Sequence, residues 1–115
     1  MLPSRRLLLC ILLAASIPAF AAPADAPADV KAGAALFRDK GCSFCHGADL
    51  HGTKKAPALA DIRNDKTWPA AKMTDQILNG GLKMPPFRDS LSDEEIAQLV
   101  AFLRAREHPA PPPAE

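Results

Sequence analysis

A chain of 115 residues has room for one domain and a single core. Its formal net charge of +1 lacks the basic surplus of a nucleic-acid binder. With no Tyr, and Val30 and Val100 as the only valines, sheet-building residues are scarce. A β-sandwich, a large α/β enzyme and a disulfide-stapled mini-protein are thereby excluded, and twelve prolines and three cysteines are left to explain.

The N-terminus reads as an export signal. Arg5 and Arg6 precede an apolar run from Leu7 to Phe20, and Ala19-Phe20-Ala21 offers the small-x-small pattern of a cleavage site. The run is interrupted by Ser16 and Pro18 and falls short of the roughly 20 apolar residues that a spanning helix needs. Cys10 lies inside it as a small hydrophobe, and the bulky Leu9 before it disfavours lipid attachment. Cleavage after residue 21 leaves 94 residues with twelve basic and thirteen acidic side chains, a net charge of −1. Residues 22–28 form a loose Ala/Pro leader and residues 29–107 the domain. Residues 108–115 form a Pro-rich tail that cannot continue a helix and is expected to be extended and mobile.

Within the domain Asp29 is expected to cap a first helix, with Gly33, Leu36 and Phe37 on one face and Gly41 stopping it in a left-handed turn. A glycine in a helix body costs about 1 kcal/mol against alanine, so Gly33 predicts the close passage of another backbone. Thr74 is expected to cap a short helix running through Leu78 to Gly80-Gly81, with Met73 just ahead of the cap as core filling. The last helix carries the strongest local signature: a Ser92/Glu95 capping box, a Leu91/Ile96 staple, and Ile96, Leu99, Val100 and Leu103 at helical spacing. Asp93 and Glu94 suit its positive end, and Arg104 and Arg106 its last turn. Segments 42–73 and 82–91 read as mostly irregular, and two long helices with that much loop cannot enclose a dense core unaided.

The missing filler is announced by Cys42-Ser43-Phe44-Cys45-His46, which holds the only two cysteines that remain after signal removal. C-x-x-C-H is the attachment signature of c-type haem: on a helical turn two thiols at i and i+3 share a face, and the histidine at i+4 follows beneath the iron. Three other readings stay open at this point. A disulfide would close a very short loop, and a thioredoxin-like redox pair lacks its βαβ context. A zinc site with His46 and His51 would need awkward ligation by adjacent residues.

From Val30 to Arg106 the chain resembles the class I c-type cytochromes. The likeness rests on Gly33…Phe37, Cys42-x-x-Cys45-His46, Ala56-Pro57-Ala58-Leu59, Met84-Pro85-Pro86-Phe87 and Leu99…Phe102-Leu103. It implies an all-α cytochrome c fold. In that fold the N- and C-terminal helices cross over a glycine, with Leu99 and Phe102 against Phe37, and loops and a short middle helix wrap one covalent haem c. It implies thioethers at Cys42 and Cys45 and axial ligation by His46 and Met84. The Pro57 carbonyl would accept the second N–H of His46, and Leu59 would lie against the haem face. Trp68 would bond a propionate or simply pack, with Arg63 as a companion or a solvated surface residue. The chain's own residues also favour Met84 over Met73: it stands in a glycine-rich loop stiffened by two prolines, and a rigid loop suits a weak donor. A sixth position left open or filled by nitrogen is the remaining possibility. Many family members place a tyrosine hydroxyl near the methionine sulfur, and this chain has none.

The resemblance implies a one-electron carrier rather than an enzyme, soluble and periplasmic or otherwise exported. It would work as a monomer or small subunit with redox partners such as a membrane oxidase or a periplasmic dehydrogenase. Neither nucleic acid nor stable membrane insertion is expected. Lys54, Lys55 and Lys83, with Lys72 less central, offer a positive rim for docking. The alternatives are a haem-based CO or NO binder in which Met84 is displaced, and a haem-free zinc or disulfide module. His51 and His108 are expected at the surface.

Overall fold

Gly33 fixes where the two terminal helices meet. In the computed structural model, which describes residues 26–114, a Cβ on Gly33 would lie 2.1 Å from the Gln98 carbonyl oxygen and 2.6 Å from the Phe102 Cβ. The helix that carries it, α1 (Ala28–Asp39), therefore crosses α4 (Asp93–Arg104) backbone to backbone. The expected Phe37–Phe102 pair forms beside the crossing, with ring centroids 5.5 Å apart and planes tilted by 52°. Between them in sequence come α2 (Cys42–His46), a 3₁₀ turn at Ile62–Asn64 and α3 (Ala70–Asn79), which packs on α4. No strand occurs among the described residues. The expected export signal and most of the leader lie outside those residues.

The core is the shared apolar face of these helices. Val30, Ala34 and Phe37 come from α1, Met73 and Ile77 from α3, and Ile96, Leu99, Val100, Phe102 and Leu103 from α4. Leu50 and Leu91 complete it from the loops. The α4 start is built as its sequence dictates: the Ser92 hydroxyl accepts from the Glu95 N–H at 3.1 Å, and the Glu95 carboxylate accepts from the Ser92 N–H at 2.8 Å. Leu91 and Ile96, the staple pair, are both buried.

Two helix starts differ from expectation, and proline explains both. Pro27, not Asp29, occupies the α1 N-cap, so Asp29 falls in the first turn, where a carboxylate still suits the positive helix end. With Pro69 as its N-cap, α3 begins at Ala70, four residues before Thr74, and Ala70-Ala71-Lys72 propagate the helix well. Thr74 is consequently mid-helix, its hydroxyl donating to the Ala70 carbonyl at 3.1 Å. Arg106 lies beyond the end of α4 rather than in its last turn. His108 also departs from a surface position: its ring meets Phe102 edge-on at 5.1 Å, and its Nε2 is buried without a partner. The described part of the tail is not helical, and the Pro112 carbonyl accepts from the Arg38 guanidinium. His51 is exposed.

Candidate functional site

Two glycines bracket the shortest helix. Gly41 takes the left-handed conformation anticipated for it, with φ 82°, and turns the chain out of α1 into α2; Gly47, with φ 86°, ends α2 after five residues. Cys42 and Cys45 sit one turn apart and half-buried, with no disulfide between them. Burial pushes the Cys42 thiol above its ordinary value, and the neighbouring Cys45 adds to the shift, against an opposing backbone hydrogen bond.

The loop after α2 folds back on it. Gly52 N–H donates to the His46 carbonyl at 2.8 Å, the Thr53 hydroxyl donates to the Cys45 carbonyl at 2.6 Å, and Thr53 N–H donates to the Ala56 carbonyl at 3.0 Å. Further along, the N–H groups of Leu59 and Ala60 both reach the Leu50 carbonyl, at 2.7 and 3.1 Å. Leu50 itself is buried at φ 63°, a left-handed conformation that costs a non-glycine residue about 1–2 kcal/mol. The result is that the Pro57 carbonyl stands 2.9 Å from His46 Nδ1. A carbonyl only accepts, so Nδ1 carries the proton and the Nε2 lone pair is left for a metal.

Met84 comes from the loop between α3 and α4. Gly81 N–H donates to the Met84 carbonyl at 2.9 Å and Phe87 N–H to the Ile77 carbonyl at 3.0 Å, closing the loop on α3. Gly80, with φ 67°, is pressed against it: a Cβ there would lie 2.5 Å from the Met84 oxygen. The Met84 sulfur accepts from Gln76 Nε2 at 3.9 Å.

These elements share one cleft of about 1120 Å³. All seven residues singled out from the sequence line it: Cys42, Cys45, His46, Pro57, Leu59, Trp68 and Met84. Trp68 is half-buried; its backbone N–H closes a turn on the Asp65 carbonyl, and the Lys72 ammonium lies 4.3 Å from its ring centroid. Arg63 is exposed and does not line the cleft. Met73 also reaches the wall, but from inside α3 and only 2% exposed. Among the described residues no three His, Cys, Asp or Glu side chains gather to hold a metal ion, so the zinc reading finds no ligand cluster there. A mainly apolar cleft with two thiols at one wall, a tautomer-fixed imidazole and a thioether does fit a flat, apolar iron porphyrin. Gln76 was not legible as part of this site, because a single polar residue in a helix carries no spacing signal.

Comparisons with known proteins show the family. The profile of the family described as "Cytochrome C oxidase, cbb3-type, subunit III" matches residues 28–103. The chain is 35% identical over 86 residues to quinohemoprotein alcohol dehydrogenase ADH IIB of Pseudomonas putida, covering 72% of this chain but only 12% of that protein. It is 33% identical over 87 residues to cytochrome c6 of a Nostoc species, covering 74% of this chain and 77% of that one. The solved structure of cytochrome c6 from the diatom Phaeodactylum tricornutum aligns with a TM-score of 0.56 at 30% identity, over 66% of this chain and 91% of the other. The chain belongs to the c-type cytochrome family: an all-α electron-transfer protein that carries covalently bound haem c.

Proposed function

We propose that residues 29–107 form a one-electron carrier in which Cys42 and Cys45 hold the haem as thioethers and His46 and Met84 are the axial ligands of its iron. The observation that carries this reading is the convergence of all four, with Pro57, Leu59 and Trp68, on one cleft. When bound, haem c supplies a one-electron couple, which a His/Met pair biases toward the ferrous state.

The chain's own residues do the rest. The Pro57 carbonyl holds the His46 ring in one tautomer and raises the basicity of Nε2. The closed loop around Gly80, Gly81, Pro85 and Pro86 presents the Met84 thioether at little entropic cost. Leu59, Trp68, Met73 and Ile77 keep water from the cleft. At its rim two apolar side chains stand out, Phe44 at 71% and Leu82 fully exposed. Lys55 and Lys83 line the same rim, with the Lys55 ammonium 3.6 Å from the Phe44 ring centroid. Lys54 is exposed beside them, while Lys72 is engaged with Trp68. That surface suits brief, electrostatically guided docking of an acidic-rimmed redox protein, and transfer rates should fall as ionic strength rises; a flat profile would remove the steering.

Partners of two kinds are consistent with the relatives: an oxidase, from the family's description, and a dehydrogenase, from the Pseudomonas protein. Residues 1–21 would act as an export signal placing the domain in the periplasm, followed by a short Ala/Pro leader that gives way to α1 at Ala28, with 108–115 as the tail. No helix among the described residues is long and apolar enough to cross a membrane.

Carbon monoxide tests the axial pair. The reduced protein should show little immediate spectral change on adding the gas, whereas reduced Met84→Ala should bind it at once. Rapid binding by the unmodified protein would instead make it a small-ligand binder.

A further inference from the structure

The segment that carries Met84 leaves the end of α3 and comes straight back to it, and two bonds join its ends. On the inner side the Phe87 N–H donates to the carbonyl of buried Ile77 at 3.0 Å. On the outer side Arg88 Nη2 donates to the side-chain oxygen of Asn79, nine residues back in the chain, at 2.7 Å, and both residues are exposed. That bond is short and has a charged donor, the stronger kind. Asn79 is the last residue of α3, so the contact also brings a guanidinium to the negative end of that helix. Between the two ends the backbone is folded tightly on itself. The Gly81 N–H donates to the Met84 carbonyl at 2.9 Å, and a Cβ on Gly80 would lie within 2.8 Å of Met84, Pro85 and Pro86.

We infer that Asn79 and Arg88 are positioning residues that clamp the neck of the Met84 loop and set how often the thioether leaves its place in the cleft. This rests on Met84 being the axial ligand. Two prolines and the internal bond make the segment after Gly80 stiff, so it moves as a unit, and the sulfur withdraws when that unit swings about its neck. Such an opening is a local event whose free energy comes from the few bonds it breaks. One bond that is a small part of the stability of the whole fold is a large part of so small an opening. The consequence is functional. A closed neck keeps the sixth position filled and the protein an electron carrier, whereas an open one admits a small ligand from solution.

Imidazole uptake by the haem-loaded, ferric full chain tests this. Imidazole enters once the sulfur has left, so the rate should level off at high imidazole, at the rate of Met84 departure. Asn79→Ala and Arg88→Ala should each raise that limiting rate about three- to fivefold. The double variant should be no faster than the faster single one, because all three lose the same bond. Arg88→Lys keeps a charged donor and should stay within about twofold of the unmodified protein. So should Arg106→Ala, which removes an exposed arginine beyond α4, and Gly33→Ala, which weakens the fold at the α1–α4 crossing. Amide hydrogen exchange at Gly81 and Phe87 should quicken in Asn79→Ala and Arg88→Ala by the factor seen with imidazole. Unchanged limiting rates in both single variants would overturn the inference, as would factors that multiply in the double variant or an equal acceleration in Gly33→Ala. Met84→Ala separates this from the ligation reading, since it should abolish the plateau. If the plateau persists there, the ligand assignment fails and the inference falls with it. If the plateau goes while Asn79→Ala and Arg88→Ala match the unmodified protein, only the clamp is lost.

Discussion

Gly33→Ala sets two effects of opposite sign against each other. In an isolated helix alanine would add about 1 kcal/mol of stability over glycine. Here the added methyl would sit 2.1 Å from the Gln98 carbonyl oxygen and 2.8 Å from the Gln98 carbonyl carbon, where ordinary contact begins near 3.4 Å. The obstacle is backbone, which cannot rotate aside, so α1 and α4 must part by about 1 Å. Separation on that scale loosens the Phe37–Phe102 pair, an arrangement worth about 0.5–1.5 kcal/mol beyond its buried area, and opens gaps around Ala34 and Leu99. Overpacking of this kind costs about 1–3 kcal/mol, and a clash with backbone belongs at the upper end. The net expectation is a loss of about 2 kcal/mol. With a urea slope of about 1–3 kcal/mol per molar, the unfolding midpoint should fall by about 1 M. Far-ultraviolet dichroism of the haem-loaded protein in urea measures it. A midpoint that rises by the amount the propensity gain alone would give would refute the close crossing.

Three further outcomes follow from local geometry. Ser92→Ala removes one half of the capping box and should cost about 1 kcal/mol in urea unfolding, with the absorption spectrum unchanged. Gly52→Ala adds left-handed strain of about 1–2 kcal/mol to a Cβ only 2.6 Å from the Ala58 nitrogen and 2.9 Å from the Pro57 carbonyl carbon, so a loss of about 2–4 kcal/mol is expected. Because that push also disturbs the His46–Pro57 bond, the variant's potential should rise as the imidazole becomes a poorer donor. Asp65 is held below the usual carboxylate range by the Thr67 hydroxyl, then by the Thr67 N–H, with help from Lys72. A lowered folded pKa gives stability that is present above the unfolded value near 3.9 and lost as pH falls through the folded one. The gap in urea midpoint between the unmodified protein and Asp65→Asn should therefore be constant at neutral pH and close below about pH 4; a gap that persists to pH 2 would contradict it.

What could be read directly was what local chemistry dictates. A glycine where alanine is better, Gly33, announced a helix crossing, and Ser92 with Glu95 announced a helix start. Cys42, Cys45 and His46 announced the chemistry, because few uses need those three at that spacing. Proline and threonine were harder to weigh. Pro27 and Pro69 start their helices, while Asp29 and Thr74, which looked like caps, fell inside the first turn and the body. Local preference for a cap loses when strong helix formers precede it. His108 was hidden for a different reason: its place against Phe102 depends on where the chain goes after α4, which no periodicity encodes. Gln76 is the same case, since its partner Met84 lies eight residues on and across a loop.

Intact mass of the protein produced in a host competent for cytochrome maturation, alongside Cys42→Ala, Cys45→Ala and the double variant, bears most directly on the whole picture. The unmodified chain should retain one haem through denaturation and offer no alkylatable thiol at residues 42 and 45, while the double variant should lose all covalently held haem. A colourless polypeptide of unaltered mass, with both thiols taking up alkylating reagent, would contradict it.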